Sequence, residues 1–130
     1  MAKYFMKPST SEWVRKAEAD RDSAKQLARG KKLLHDSVCF HCQQCVEKYL
    51  KALLEELGAH VPKTHDLNIL RTHLVGSHPS FRPWKRGLIF LTRFAVETRY
   101  PGEDATRRQA QAALRWMERV RKEARQLLGI

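Results

Sequence analysis

Residues 38–58 read VCFHCQQCVEKYLKALLEELG. Val38, Cys42, Cys45, Val46, Tyr49, Leu50, Leu53, Leu54 and Leu57 return every three or four positions, the period of an α-helix with a broad apolar band. His41, Gln44, Lys48 and Lys51 recur at i, i+3, i+7 and i+10, so they form one polar stripe beside that band. Gly58 is placed for a left-handed cap at the helix end. The stretch, entered near Asp36-Ser37, predicts the central and most buried helix of the protein.

The chain has only three cysteines, and all lie in this stretch with His41 among them. Three readings compete: a metal site, a redox pair, or packing. On a straight helix Cys39 and Cys45 stand about 9 Å apart along the axis. Zinc needs its sulfurs within about 2.3 Å, so one helix cannot supply three ligands to one ion. A redox Cys-x-x-Cys pair belongs at a helix start in a strand–helix setting, and no segment here has the period of two that marks a strand. The cysteines read as small apolar packing residues, with no metal and no cofactor.

Working outward, Ser9-Thr10-Ser11-Glu12 offers hydroxyls to cap a first helix. Its inner stripe is Trp13, Ala17, Asp20, Ala24 and Leu27, ending at Arg29-Gly30-Lys31-Lys32. Asp20 breaks the apolar pattern. A carboxylate there must meet a cation or donors, or sit at an edge in water. Downstream, Thr64 is expected to cap a short helix striped by Leu67, Leu70 and Leu74. Pro83 should open a fourth helix through Trp84, Leu88, Leu91 and Ala95, which Pro101 ends. A last helix is expected from about Asp104 to Leu128. Ala113, Trp116, Met117, Val120, Ala124 and Leu127 should face inward, and seven arginines and lysines from Arg107 to Arg125 outward. The expectation is one all-α domain over residues 1–130: an antiparallel up-down bundle of four long helices plus one short helix.

The chain has 130 residues, 42% hydrophobic and 30% charged, enough to bury a core without disulfide or metal. Lys and Arg number 25 against 14 Asp and Glu, a formal charge of +11. That surplus attracts phosphate-bearing partners such as RNA, DNA or nucleotides, or else an acidic protein. No apolar run reaches the roughly 18 residues of a membrane span, and the first residues lack a secretory apolar region. The expected location is the cytoplasm, with reduced thiols.

FHCQQCVEKYLKALLEELG, PKTHDLNIL and RFAVETRYPGE, in that order, resemble the HEPN family, the higher-eukaryote and prokaryote nucleotide-binding domains. Phe40, His41, Gln43, Gln44, Glu47, Lys48, Leu50, Lys51 and Ala52 match the family's second helix, and Cys42 and Cys45 stand at its alanine places. The Trp13, Ala17, Asp20, Ala24 stripe also matches. The resemblance implies a helical bundle similar to the C-terminal domain of kanamycin nucleotidyltransferase, often a homodimer. It also implies a minimal nucleotidyltransferase partner in a toxin–antitoxin-like pair. Several branches are metal-independent ribonucleases with an Arg-x(4–6)-His motif near the last helix. Here Arg99 has no histidine anywhere after it. Arginine alone can hold a phosphate, but RNA cleavage by 2′-hydroxyl attack also needs a group that moves the proton.

The polar residues that core packing leaves over are Asp20, His41, Gln44, Lys48, Lys51, Arg99 and Tyr100. They permit two arrangements. His41, Gln44, Lys48 and Lys51 can line a phosphate-binding cleft closed by Arg99 and Tyr100, with arginine as a fork and tyrosine as a stacking ring. Alternatively the stripe is a solvated face or a helix lock, with Asp20 pairing Lys48 or Arg99. Asp20 and Glu47 are the expected structural partners of these cations. A ribonuclease using Arg99 with His41 or His65 is the enzymatic alternative.

Overall fold

The structure, a computed structural model, describes residues 5–96 and 100–130. The described residues form five α-helices in order: α1 Pro8–Arg29, α2 His35–Glu56, α3 Leu67–Leu74, α4 Lys85–Thr92 and α5 Arg107–Leu128. A 3₁₀ segment, Pro79–Trp84, precedes α4. The all-α bundle expected from the apolar periods is what the chain forms, with no strand among the described residues. Three helices are long, 22 residues each, rather than four. The expected fourth is cut to eight residues. Pro79 and Pro83 lack the N–H that an α-helical turn needs, so this stretch winds as the tighter 3₁₀ form before α4 begins.

The start of α1 departs from the sequence reading because the group that serves it comes from α2. Pro8 occupies the first turn of α1, and Lys7 is the capping position with no side-chain cap. Thr10, one of the hydroxyls expected to cap, lies inside the helix and donates to Glu56 Oε1 at 2.8 Å. The Lys7 amide donates to the same oxygen at 3.0 Å. The last carboxylate of α2 thus serves the positive start of α1, a favourable placement for a negative charge. At α3 the cap is Asp66, whose Oδ1 accepts from the Asn68 and Ile69 amides at 2.9 and 3.2 Å. Thr64 instead accepts from the Asp66 amide. Thr106 and Gln109 form a reciprocal capping box at α5. Gly58 takes φ +72°, the left-handed conformation expected after α2.

α2 is the hub. Val38, Cys42, Cys45, Val46, Tyr49, Leu50, Leu53 and Leu54 are all buried, while Leu57 at its end is exposed. Small residues face it from α1 (Ala17, Ala24) and α5 (Ala110, Ala113, Ala124), which brings the helices close. On α5 the last inward residue is Leu128, not Leu127, a shift of one position around the helix. All three cysteines are buried. Burial pushes the thiols of Cys42 and Cys45 well above their ordinary pKa, which suits packing and not nucleophilic chemistry.

α1 runs antiparallel to both α2 and α5, but α5 runs parallel to α2. The Ala105 amide donates to Asp36 Oδ1 at 2.7 Å, at the start of α2. One end later, Arg125 reaches the Tyr49 hydroxyl at 3.2 Å. The cause is the short α3–α4 hairpin, closed by the Leu67 amide donating to Thr92 Oγ1 at 3.0 Å, which lets the chain return to the top of α2.

Candidate functional site

At 100° per residue, His41, Gln44, Lys48 and Lys51 fall within an arc of about 80° on α2. The structure resolves this stripe into two ion-paired knots. In the first, Asp20 of α1 lies between His41 and Lys48. His41 Nδ1 is 2.8 Å from Asp20 Oδ1, and Lys48 Nζ pairs with Asp20 Oδ2. The side chains of His41 and Lys48 stay 23% and 22% exposed, so each keeps one side toward solvent. Asp20, the anomaly of the first helix, is thereby satisfied by α2.

In the second knot Glu47 is the hub. Lys51 Nζ donates to Glu47 Oε2 at 3.0 Å, and His65 Nδ1 lies 2.8 Å from Oε1. Gln43 donates both to Glu47 Oε1 and to the His65 carbonyl. Gln44 in turn donates to Gln43 Oε1 at 2.8 Å, which chains it to this knot. Lys51 and Glu47 are only 9% and 5% exposed. Lys51 Nζ also sits 5.6 Å from the centre of the Trp13 ring. With a carboxylate on one side and an indole near by, little of this ammonium is left for a phosphate.

Beside the stripe, α1 and α2 enclose a groove of 410 Å³ lined by Ser9, Glu12, Trp13, Lys16 and Lys48. Its size falls in the range of small-molecule sites. Trp13 supplies an aromatic ring, Lys16 an exposed ammonium and Lys48 a half-buried one already paired with Asp20. Glu12, the acid on the rim, is engaged by Arg15 one turn away. Sequence reasoning placed Trp13 in the core, read Ser9 only as a capping hydroxyl and passed over Lys16. Their i, i+4 and i+7 spacing along α1 was the signal that they share the face beside Asp20.

Arg99 lies outside the described residues. Tyr100 is 79% exposed, and its carbonyl accepts from the Glu103 amide at 3.0 Å. Gly102 takes φ +89° in this turn, and the Ala105–Asp36 bond anchors the loop to the first turn of α2. Among the described residues no hydrogen bond or ring contact joins Tyr100 to the stripe.

Two of the seven cations expected on the outside of α5 turn inward. Arg121 grips Glu18 through Nε and Nη2, both at 2.8 Å, and Arg125 reaches Tyr49. Among the described residues, no group of three or more His, Cys, Asp or Glu side chains is arranged to hold a metal ion. No helix there is long and apolar enough to cross a membrane.

The family model of the HEPN domain matches residues 10–127. The chain belongs to the HEPN family. No match came from curated proteins or from solved structures. HEPN membership supports a helical module related to nucleotide or RNA. The matched span takes in both ion-paired knots and every residue of the α1–α2 groove except Ser9.

Proposed function

We propose that this HEPN chain is a cytoplasmic, non-enzymatic helical module, paired as a homodimer. In this reading it binds nucleotide or RNA and docks a minimal nucleotidyltransferase in a toxin–antitoxin-like pair. The observation that carries the binding is the α1–α2 groove, whose lining brings Trp13, Lys16 and Lys48 to one space. An indole wall suits a base and the two ammonium groups suit phosphates. Tyr100, exposed on the loop before α5, and Arg99 are the further phosphate and base contacts of the proposal. His41, which shares Asp20 with Lys48, and Gln44 are further contacts of the proposal, and Lys51 supports the groove through Glu47 and Trp13. The absence of any histidine after Arg99 supports a role without RNA cleavage.

Calorimetric titration with ATP, alongside size-exclusion chromatography with a minimal nucleotidyltransferase, tests the reading. Binding weakened at least several-fold by Lys16→Ala or Lys48→Ala, and a co-eluting complex, are expected. A flat titration together with no complex overturns it.

One observation favours the ribonuclease alternative. Asp20 holds His41 through Nδ1, which leaves Nε2 as the nitrogen for a substrate hydroxyl, the arrangement of an oriented general base. Incubation with structured RNA in EDTA decides. Cleavage abolished by both His41→Ala and Arg99→Ala establishes the enzyme, and intact RNA removes it.

A further inference from the structure

The outward ridge of α5 carries Arg108, Gln111, Arg115, Arg119, Lys122 and Gln126, all exposed. At 100° and 1.5 Å per residue they lie within an arc of about 80°, and Arg108 to Lys122 spans about 21 Å. No described carboxylate forms an ion pair with the four cations, unlike Arg121 and Arg125 of the same helix, which meet Glu18. The neighbouring acids are already engaged, Glu118 by Arg21 and Glu123 by Ser80. The Arg119 guanidinium rests 4.7 Å from the centre of the Trp116 ring, which holds it in place on the ridge.

The composition of the ridge selects its partner. A protein interface draws its energy from a buried apolar or aromatic centre, and this ridge has no apolar side chain along its crest. A phosphodiester backbone asks only for spaced cations and hydrogen-bond donors, and its binding is driven by counterion release. Glutamine amides between the arginines add such donors without adding charge.

We infer that the outer ridge of α5 binds the phosphodiester backbone of a nucleic acid through Arg108, Arg115, Arg119 and Lys122. The inference rests on the nucleotide-or-RNA reading above, yet it uses no residue of the α1–α2 groove, so each can fail alone.

Fluorescence anisotropy with labelled single- and double-stranded RNA, and with matching DNA, over a salt series provides the test. The logarithm of affinity should fall linearly with the logarithm of salt. Replacing all four cations (Arg108→Gln, Arg115→Gln, Arg119→Gln, Lys122→Gln) should flatten that slope by about 3, at roughly 0.7–0.9 per phosphate contact. A control with the same charge loss elsewhere (Lys31→Gln, Lys32→Gln, Lys63→Gln, Lys85→Gln) should keep most of the slope. Circular dichroism checks that both variants fold. The ranking of the four nucleic acids identifies the preferred backbone. Equal flattening by both variants overturns the inference, since net charge alone then explains binding. So does a wild-type protein that binds none of the four at low salt, or polyglutamate competing as well as RNA charge for charge. ATP calorimetry on the ridge variant should remain unchanged; a loss of ATP binding in the groove variants alone speaks to the groove and not to the ridge.

Discussion

Tyr49, buried in the middle of α2, donates its hydroxyl hydrogen to Glu18 Oε2 of α1 at 2.6 Å. Arg121 of α5 grips the same carboxylate with two donors at 2.8 Å, so one anion ties the three long helices together. The Arg121 hydrogen bonds, helped by Tyr49 and opposed by burial, hold the Glu18 carboxyl down at about 2.

A group whose pKa is lower folded than unfolded stabilises the fold fully above its unfolded value. That contribution is lost as pH falls toward the folded value. Glu18 should therefore contribute fully above about pH 4.5 and progressively less down to about 2. Its side chain is 29% exposed, so solvent screening limits the effect to about 1–2 kcal/mol. Urea unfolding of the wild type should weaken between pH 6 and pH 3 more steeply than that of Glu18→Gln. Parallel pH profiles for the two proteins contradict this account.

Glu47 and Lys51 form the most buried ion pair of the chain's α2, and truncating one partner strands the other. Glu47→Ala should destabilise by about 3–5 kcal/mol, because the buried Lys51 ammonium is stranded and His65 loses its carboxylate partner. The double replacement Glu47→Leu with Lys51→Met should cost clearly less, since neither charge then remains buried. Thermal unfolding of the single and double variants is the measurement. A double variant less stable than the sum of the two singles refutes the argument.

Gly87 sits inside α4 against the Trp116 ring, where an added Cβ meets Cε2 and Cζ2 at 2.2 Å. Glycine to alanine in a helix interior normally stabilises by about 0.5–1 kcal/mol. Here the clash wins, because Trp116 is itself wedged edge-on against Trp84 and cannot swing aside freely. Gly87→Ala should destabilise by about 1–3 kcal/mol. In a double-mutant cycle with Trp116→Leu the loss at Gly87 should largely vanish. A stabilised single variant rejects the close approach.

The helices were legible because burial repeats every three or four residues, and α2 was readable almost to its ends. What the sequence concealed was set by distant partners. Thr10 has the chemistry of a cap, yet its acceptor is Glu56, 46 positions away. Lys51 follows Lys48 by one helical turn, yet Glu47 and Trp13 draw it inward while Lys48 keeps solvent access. Asp20 was visible as an unmet charge, and its partner Lys48 was among the candidates the residues allowed. The groove itself was not visible, since Ser9 and Lys16 acquire meaning only when α2 lies beside them.

That last relationship separates a binding lysine from a structural one. Lys48 lines the groove while pairing with Asp20, so the aspartate both holds the ammonium and offsets its charge. Asp20→Asn keeps the shape and removes the negative charge. Stability should drop by about 2 kcal/mol, since Lys48 and His41 lose an anionic acceptor at a largely buried position. A phosphate in the groove would meanwhile escape repulsion from a carboxylate a few ångströms away. That repulsion is of order 1 kcal/mol in a partly solvated setting, or roughly fivefold in affinity. ATP should therefore bind Asp20→Asn more tightly than wild type although the protein is less stable, whereas Lys48→Met should weaken binding. If Asp20→Asn lowers stability and leaves the ATP titration unchanged, Lys48 serves the helix lock alone, and the groove is not where the nucleotide phosphate sits.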